Sequence, residues 1–135
     1  MKTPHEKLVT SARNAVKAIL RMDIEEKHRR RLLDVRLWAI TEVPGKYKVR
    51  YITLAARKKR TNKYLRHEHV YPRKWLIDRL LSSPRDINKI MKCAVACVVT
   101  KSENSKLNKG RGVGWKRYER LNIPVWDRVK KRRKV

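Results

Sequence analysis

Residues 64–107 read YLRHEHVYPRKWLIDRLLSSPRDINKIMKCAVACVVTKSENSKL, and how the two ends of this stretch meet decides the fold. It opens on a short β-type run that ends in Glu68-His69 and is stopped by Pro72. It closes on Ala94 to Thr100, a nearly continuous apolar run that suits a strand buried on both faces, and on a polar helix start for which Ser102 is the expected N-cap. Between the ends, Trp75, Leu76, Leu80 and Leu81 form the inward face of a helix over 73–82. Ser83-Pro84 breaks it, and Ile87, Ile90 and Met91 mark a second short helix capped by Ser83 or Asp86. If the two strand-like runs come together, Glu68, His69, Asn104 and Asn108 converge on one side of a small hairpin covered by a helix. Such a cluster makes a metal site with an imidazole beside it.

Glu68-His69-x-x-Pro72, then Val98-Val99-Thr100, then Asn104 and Asn108 one turn apart resemble the ββα-metal motif of HNH nucleases, the colicin-type DNases among them. The resemblance covers the central part of the chain, about 64–109, and implies nothing outside it. It implies Glu68 as the first metal ligand, His69 as the general base, and Asn104 and Asn108 as the ligands from the helix. The asparagine that gives the family its middle letter falls at about Val95, so Asn88 or Asn62 is expected to pin the loop instead. The implied activity is metal-dependent hydrolysis of phosphodiester bonds in DNA. An imidazole takes a proton from water near neutral pH, and the cation neutralises charge developing on phosphorus and on the departing oxygen. Oxygen ligands favour Mg²⁺ or Mn²⁺, with Zn²⁺ possible. His67 shares a strand face with His69 and either orients the base or contacts a phosphate. The competing reading is a degenerate site, in which asparagines ligate weakly and Asn104 only caps backbone groups. That reading leaves a non-catalytic protein binding DNA or structured RNA.

Composition supports a polyanionic partner under either reading. The chain has 135 residues, 38 Lys and Arg against 12 Asp and Glu, and a formal charge of +26. Self-repulsion of that size is tolerated where phosphates or counterions lie nearby, so nucleic acid is the expected partner, DNA ahead of RNA. No apolar run is long enough for a transmembrane helix, and MKTPHEKLVT lacks a signal-peptide core, so an intracellular protein is expected, cytoplasmic, nucleoid-associated or nuclear. Cys93 and Cys97 are too few for a disulfide framework. They are either buried thiols or, with His67 and His69, a reversed Cys2His2 zinc site.

The remainder is expected to complete a single α+β domain over 1–127, with a basic tail over 128–135. Thr3-Pro4-His5-Glu6 starts a helix whose stripe is Leu8, Ala12, Ala15, Val16, Ile19 and Leu20. A second start lies at Asp23, and its helix carries Lys27-His28-Arg29-Arg30-Arg31, a run that faces either solvent or phosphates. From Asp34 to Leu54 the apolar period shortens, which reads as a β-hairpin turning at Pro44-Gly45. Alternatively 32–41 continues the second helix, and Thr53 caps a short one through Ala55 and Ala56. Arg57, Lys58, Lys59, Arg60 and Lys63 form a dense cluster suited to gripping a backbone, with Arg66, His67 and Arg73 close by in sequence. Gly110 to Gly114 reads as a flexible loop, and Trp115, Tyr118 and Trp126 either stack on bases or pack a core. The tail, with Lys130, Lys131, Arg132 and Arg133, is expected to be disordered and to add phosphate contacts.

Overall fold

Seven α-helices and five strands make up the described part of the chain: α1 (Pro4–Arg21), α2 (Glu26–Glu42), β1 (Tyr51–Thr53), α3 (Leu54–Arg57), β2 (Leu65–His69), α4 (Arg73–Ser82), α5 (Ile87–Met91), β3 (Ala96–Thr100), α6 (Lys101–Lys109), α7 (Trp115–Arg120), β4 (Val125–Asp127) and β5 (Arg132–Arg133). The structure is a computed structural model that describes residues 1–43 and 45–135. It is a single-domain α+β fold around a mixed sheet of order β2-β3-β1-β4-β5, in which β1 runs parallel to β3 and the other neighbours are antiparallel.

Local chemistry sets most of these elements. In α1 the Thr3 hydroxyl accepts from the Glu6 amide at 3.1 Å and the Glu6 carboxylate accepts from the Thr3 amide at 2.7 Å, a reciprocal cap of the expected kind. The same box recurs at α6, where Thr100 and Glu103 are the partners. The cap is therefore Thr100, not Ser102. Helix α4 spans the expected residues, and the expected helix over Ile87, Ile90 and Met91 is α5.

The expected hairpin over 35–52 is not formed. Residues 26–42 are one helix, because Leu33, Leu37 and Thr41, four apart, are the positions it buries, while Val35 stands 50% exposed. Strand β1 pairs with β3 and β4 instead, and the turn proposed at Pro44-Gly45 includes Pro44, which lies outside the described residues. Thr53 does cap α3, its hydroxyl accepting from the Ala56 amide. Arg29, from the basic run, is half-buried and bonded within the protein. Its guanidinium donates to the carbonyls of Ile19, Leu20, Met22 and Ile24 at 2.8–3.2 Å and closes the end of α1.

Three apolar clusters hold the layers. Helices α1, α2, α4 and α5 share one, built on Val16, Leu33, Leu37, Leu76 and Leu80. One sheet face, with Cys97, Val99 and Val125, packs against Leu107 of α6 and Tyr118 of α7. The other face, with Ile52, Leu65, Ala96 and Val98, packs against Ala56 and Val49.

The expected disordered tail is folded. Strand β5 returns beside β4 in the register Trp126↔Arg133 and Asp127↔Arg132, and Val135 packs on the sheet core. Asp127 anchors this return. Its carboxylate accepts two bonds from Arg50, at 2.9 and 2.8 Å, and one each from the amides of Val129 and Lys130. These donors hold the Asp127 carboxyl well below the usual range, Arg50 foremost. The depressed value means that the stability Asp127 lends is full above about pH 4 and is lost as pH falls through the folded-state value. Asp127→Asn is expected to cost about 1–3 kcal/mol in urea unfolding near neutral pH and to open residues 128–135 to limited proteolysis. A resistant C-terminal segment in that variant would contradict the anchor.

Candidate functional site

Strand β2 lies antiparallel to β3 with Glu68 opposite Cys97, His67 opposite Val98 and His69 opposite Ala96, and α6 follows β3 without a loop. The β-β-α order expected from 64–109 is therefore present. Alternation along β2 decides what it can hold. Glu68 lies with Cys97 on the face covered by α6 and α7, whereas His67 and His69 lie on the other face, against α2. The structure does not bring Glu68 and His69 together.

On the first face Glu68 is 5% exposed, and a cation already sits against it: Arg117 of α7, itself 6% exposed. One guanidinium nitrogen of Arg117 donates to the Glu68 carboxylate at 2.8 Å and to the carbonyls of His69 and Val70 at 3.1 and 2.6 Å. The other reaches the Leu107 carbonyl of α6 at 3.5 Å. The Tyr118 hydroxyl donates to Glu68 at 2.9 Å. Burial pushes the Glu68 carboxyl up to about 7, against the lowering pull of Arg117 and Tyr118. Asn104 is half-buried and Asn108 is exposed on α6, and neither makes a side-chain bond to Glu68. Thus the guanidinium of Arg117 lies between β2 and α6, where the resemblance expects a metal. No group of three or more His, Cys, Asp or Glu among the described residues is placed to hold an ion.

The second face carries a compact imidazole cluster. The Nδ1 of His67 lies 2.7 Å from the Lys46 carbonyl, which can only accept, so Nδ1 is the protonated nitrogen. Thr41 donates its one hydroxyl hydrogen to the Trp38 carbonyl at 3.0 Å, so it must accept from Nε2 of His69 at 2.8 Å. Trp38 packs against both rings, and the Arg73 guanidinium lies 4.7 Å from the Trp38 ring centroid while pairing with Asp34 at 3.3 Å. Burial first, then His67 and Arg73, hold the His69 imidazole down to about 3. It is neutral at pH 7 and a weak proton acceptor. Cys97 is buried on the Glu68 face and Cys93 packs on the helical core, so the four Cys and His side chains do not gather.

The loop after β2 is pinned, though not by Asn62 or Asn88, both of which are exposed. Arg117 does it through the His69 and Val70 carbonyls, aided by the backbone bonds Val70 amide to Val95 carbonyl and Gly114 amide to Val70 carbonyl. Sequence reasoning missed Arg117. Its only signal is an Arg-Tyr pair in a short helix following glycines, nearly fifty residues after Glu68.

The cations named for nucleic-acid contact divide. Arg57, Lys58, Lys59, Arg60 and Lys63 are exposed around the end of α3, and Lys130, Lys131, Arg132 and Arg133 are exposed on the β4–β5 hairpin. Arg66 is half-buried against its neighbour's carbonyl, His67 is buried and Arg73 is paired with Asp34. Trp115 and Tyr118 pack the core, whereas Trp126 is half-exposed beneath Arg57. No family model, curated protein or solved structure matches the chain. Among the described residues no helix is long and apolar enough to cross a membrane.

Proposed function

We propose that the protein binds nucleic acid through its exposed basic clusters and that its β-β-α unit serves as a scaffold, with Arg117 in the place of a metal. The observation that carries this reading is the imbalance of pairing. Against 38 Lys and Arg, only four ion pairs form among the described residues: Arg30–Asp78, Arg50–Asp127, Arg73–Asp34 and Arg117–Glu68. The α3 cluster and the β4–β5 hairpin hold none of the partners in these pairs except Asp127. Unpaired surface cations of this density are what a phosphate backbone neutralises, with release of its counterions.

Metal-dependent cleavage of DNA remains the second reading, because the β2–β3–α6 order is the one an HNH site uses and Asn104 is half-buried on the helix that covers the Glu68 face. One experiment separates the two. Duplex DNA is expected to bind with log K falling steeply against log salt, and replacing Arg57, Lys58, Lys59 and Arg60 by alanine is expected to flatten the slope by about 0.9 for each phosphate that is no longer neutralised. Supercoiled plasmid with Mg²⁺ or Mn²⁺ is expected to stay uncut. Affinity unchanged by salt would defeat the binding reading. Nicking that disappears in His69→Ala would establish the enzyme.

A further inference from the structure

Two concave surfaces flank the turn after α3, and Lys59 forms part of the wall of both. The first, about 570 Å³, has an apolar floor of Ile52, Ala56 and Leu65 and a rim that includes Trp126, Tyr47, Arg57, Arg128 and Lys131. Its volume lies within the roughly 300–1,000 Å³ typical of small-ligand sites. No carboxylate lines it among the described residues. The second, about 610 Å³, is bounded by Lys58, Tyr64, Lys101 and Lys106. Its one carboxylate, Glu103, already accepts from the Thr53 hydroxyl at 2.6 Å and from the Thr100 amide at 2.9 Å.

Each concavity contains an accessible aromatic ring under a cation on a flexible side chain. The guanidinium of Arg57 lies 4.4 Å from the Trp126 ring centroid, and the ammonium groups of Lys59 and Lys63 lie 5.7 and 5.6 Å from that of Tyr64. Tyr64 is 49% exposed, which a core ring would not be. None of these three cations has a carboxylate partner among the described residues. A flat, uncharged ring entering from solvent can therefore displace the cation from the aromatic face, and the cation is then free to meet a phosphate on the same ligand.

We propose that this surface is a single-strand site: one unpaired base stacks on Trp126, a second on Tyr64, and Lys59 between them contacts the linking phosphate. Bases within a duplex cannot present their faces to both rings, so the site discriminates unpaired from paired strands, on stacking rather than on base identity. The proposal rests on the nucleic-acid reading above and adds the strand state that is preferred. Arg128, on the rim of the first concavity, donates to the Tyr47 carbonyl at 3.2 Å, which fixes one cation of that rim in place.

The test is fluorescence anisotropy of the full chain with labelled twelve-residue oligo-dT, twelve-residue oligo-U and a duplex of the same length. Tyr64→Ala and Trp126→Leu are each expected to weaken both single strands about ten-fold while leaving duplex affinity within about two-fold. Tyr64 is a surface residue, so its variant stands even if the Trp126 variant is poorly folded. Lys59→Ala is expected to reduce the single-strand salt slope by about 0.7. Equal losses for duplex and single strands, or none, would overturn the site while leaving the general binding reading intact. Wild-type protein that binds no probe would defeat that reading as well. Comparison of the dT and U probes shows whether DNA or RNA is the better ligand.

Discussion

Glu68→Ala is expected to lower the unfolding free energy by about 3–5 kcal/mol, the loss typical of leaving one member of a buried ion pair without its partner. The loss follows from what Arg117 would retain. Its guanidinium is 6% exposed and would keep only carbonyl acceptors, and its Nε already lacks a partner among the described residues. Arg117→Met in the Glu68→Leu background is expected to recover most of that loss, because an apolar pair of similar volume avoids the desolvation of both charges. A metal-ligand role predicts otherwise: Glu68→Ala would weaken Mg²⁺ or Mn²⁺ binding and leave metal-free stability almost unchanged. Urea unfolding without divalent ions therefore distinguishes the two.

The same group gives the protein a pH signature. Burial raises the folded-state Glu68 carboxyl to about 7 from the ordinary value of 4.5. The folded state then holds more protons than the unfolded state between those values, so the stability linked to Glu68 is full below about pH 4.5 and falls as pH rises through 7. The interval corresponds to about 3 kcal/mol. Asp127 acts in the opposite sense, and below about pH 4, so the two do not overlap. Glu68→Gln is expected to remove the decline between about pH 4.5 and 7, and an equally steep decline in that variant would assign it to another group.

What the sequence discloses here follows the range of the interaction that decides each element. Helices α1 and α4 and strands β2 and β3 are set by caps, Pro72 and local period, so they are legible. Helix α2 is misread beyond Asp34 because Trp38 and Ile40 are apolar on both possible periods, leaving a strand alternation that burial of Leu33, Leu37 and Thr41 overrides. The sheet partners of β1 come from residues 97–98 and 125–127, which no local pattern announces. At the site, the period-two rule that unites His67 with His69 also separates His69 from Glu68, and that consequence is available from the sequence. The pairing of Arg117 with Glu68 is not, because a buried arginine has the same local appearance as the many exposed ones.

Gly114→Ala is expected to be among the most damaging single-methyl changes in the chain, at about 3 kcal/mol or more, because two independent costs add. Gly114 has φ +78° and ψ −165°, a backbone region open essentially to glycine alone. A Cβ there would lie 2.7–2.9 Å from the ring of Tyr71, which stacks on Trp75 at 5.2 Å and packs between two core clusters, so it has little freedom to yield. The Gly114 amide also donates to the Val70 carbonyl and stands directly before α7, so displacement of this residue moves Arg117 away from Glu68. Gly112 is the control. Its φ of +91° is also glycine-favouring, but an added Cβ meets only the Arg120 side chain at 3.9 Å, so Gly112→Ala is expected to cost about 1–2 kcal/mol from the backbone alone. In a Tyr71→Leu background the cost of Gly114→Ala is expected to fall toward the Gly112 value, since the clash is removed and the strain remains. Equal losses at both glycines in the unaltered protein would mean that the Tyr71 contact yields freely, and that α7 is not held in place by its approach to that ring.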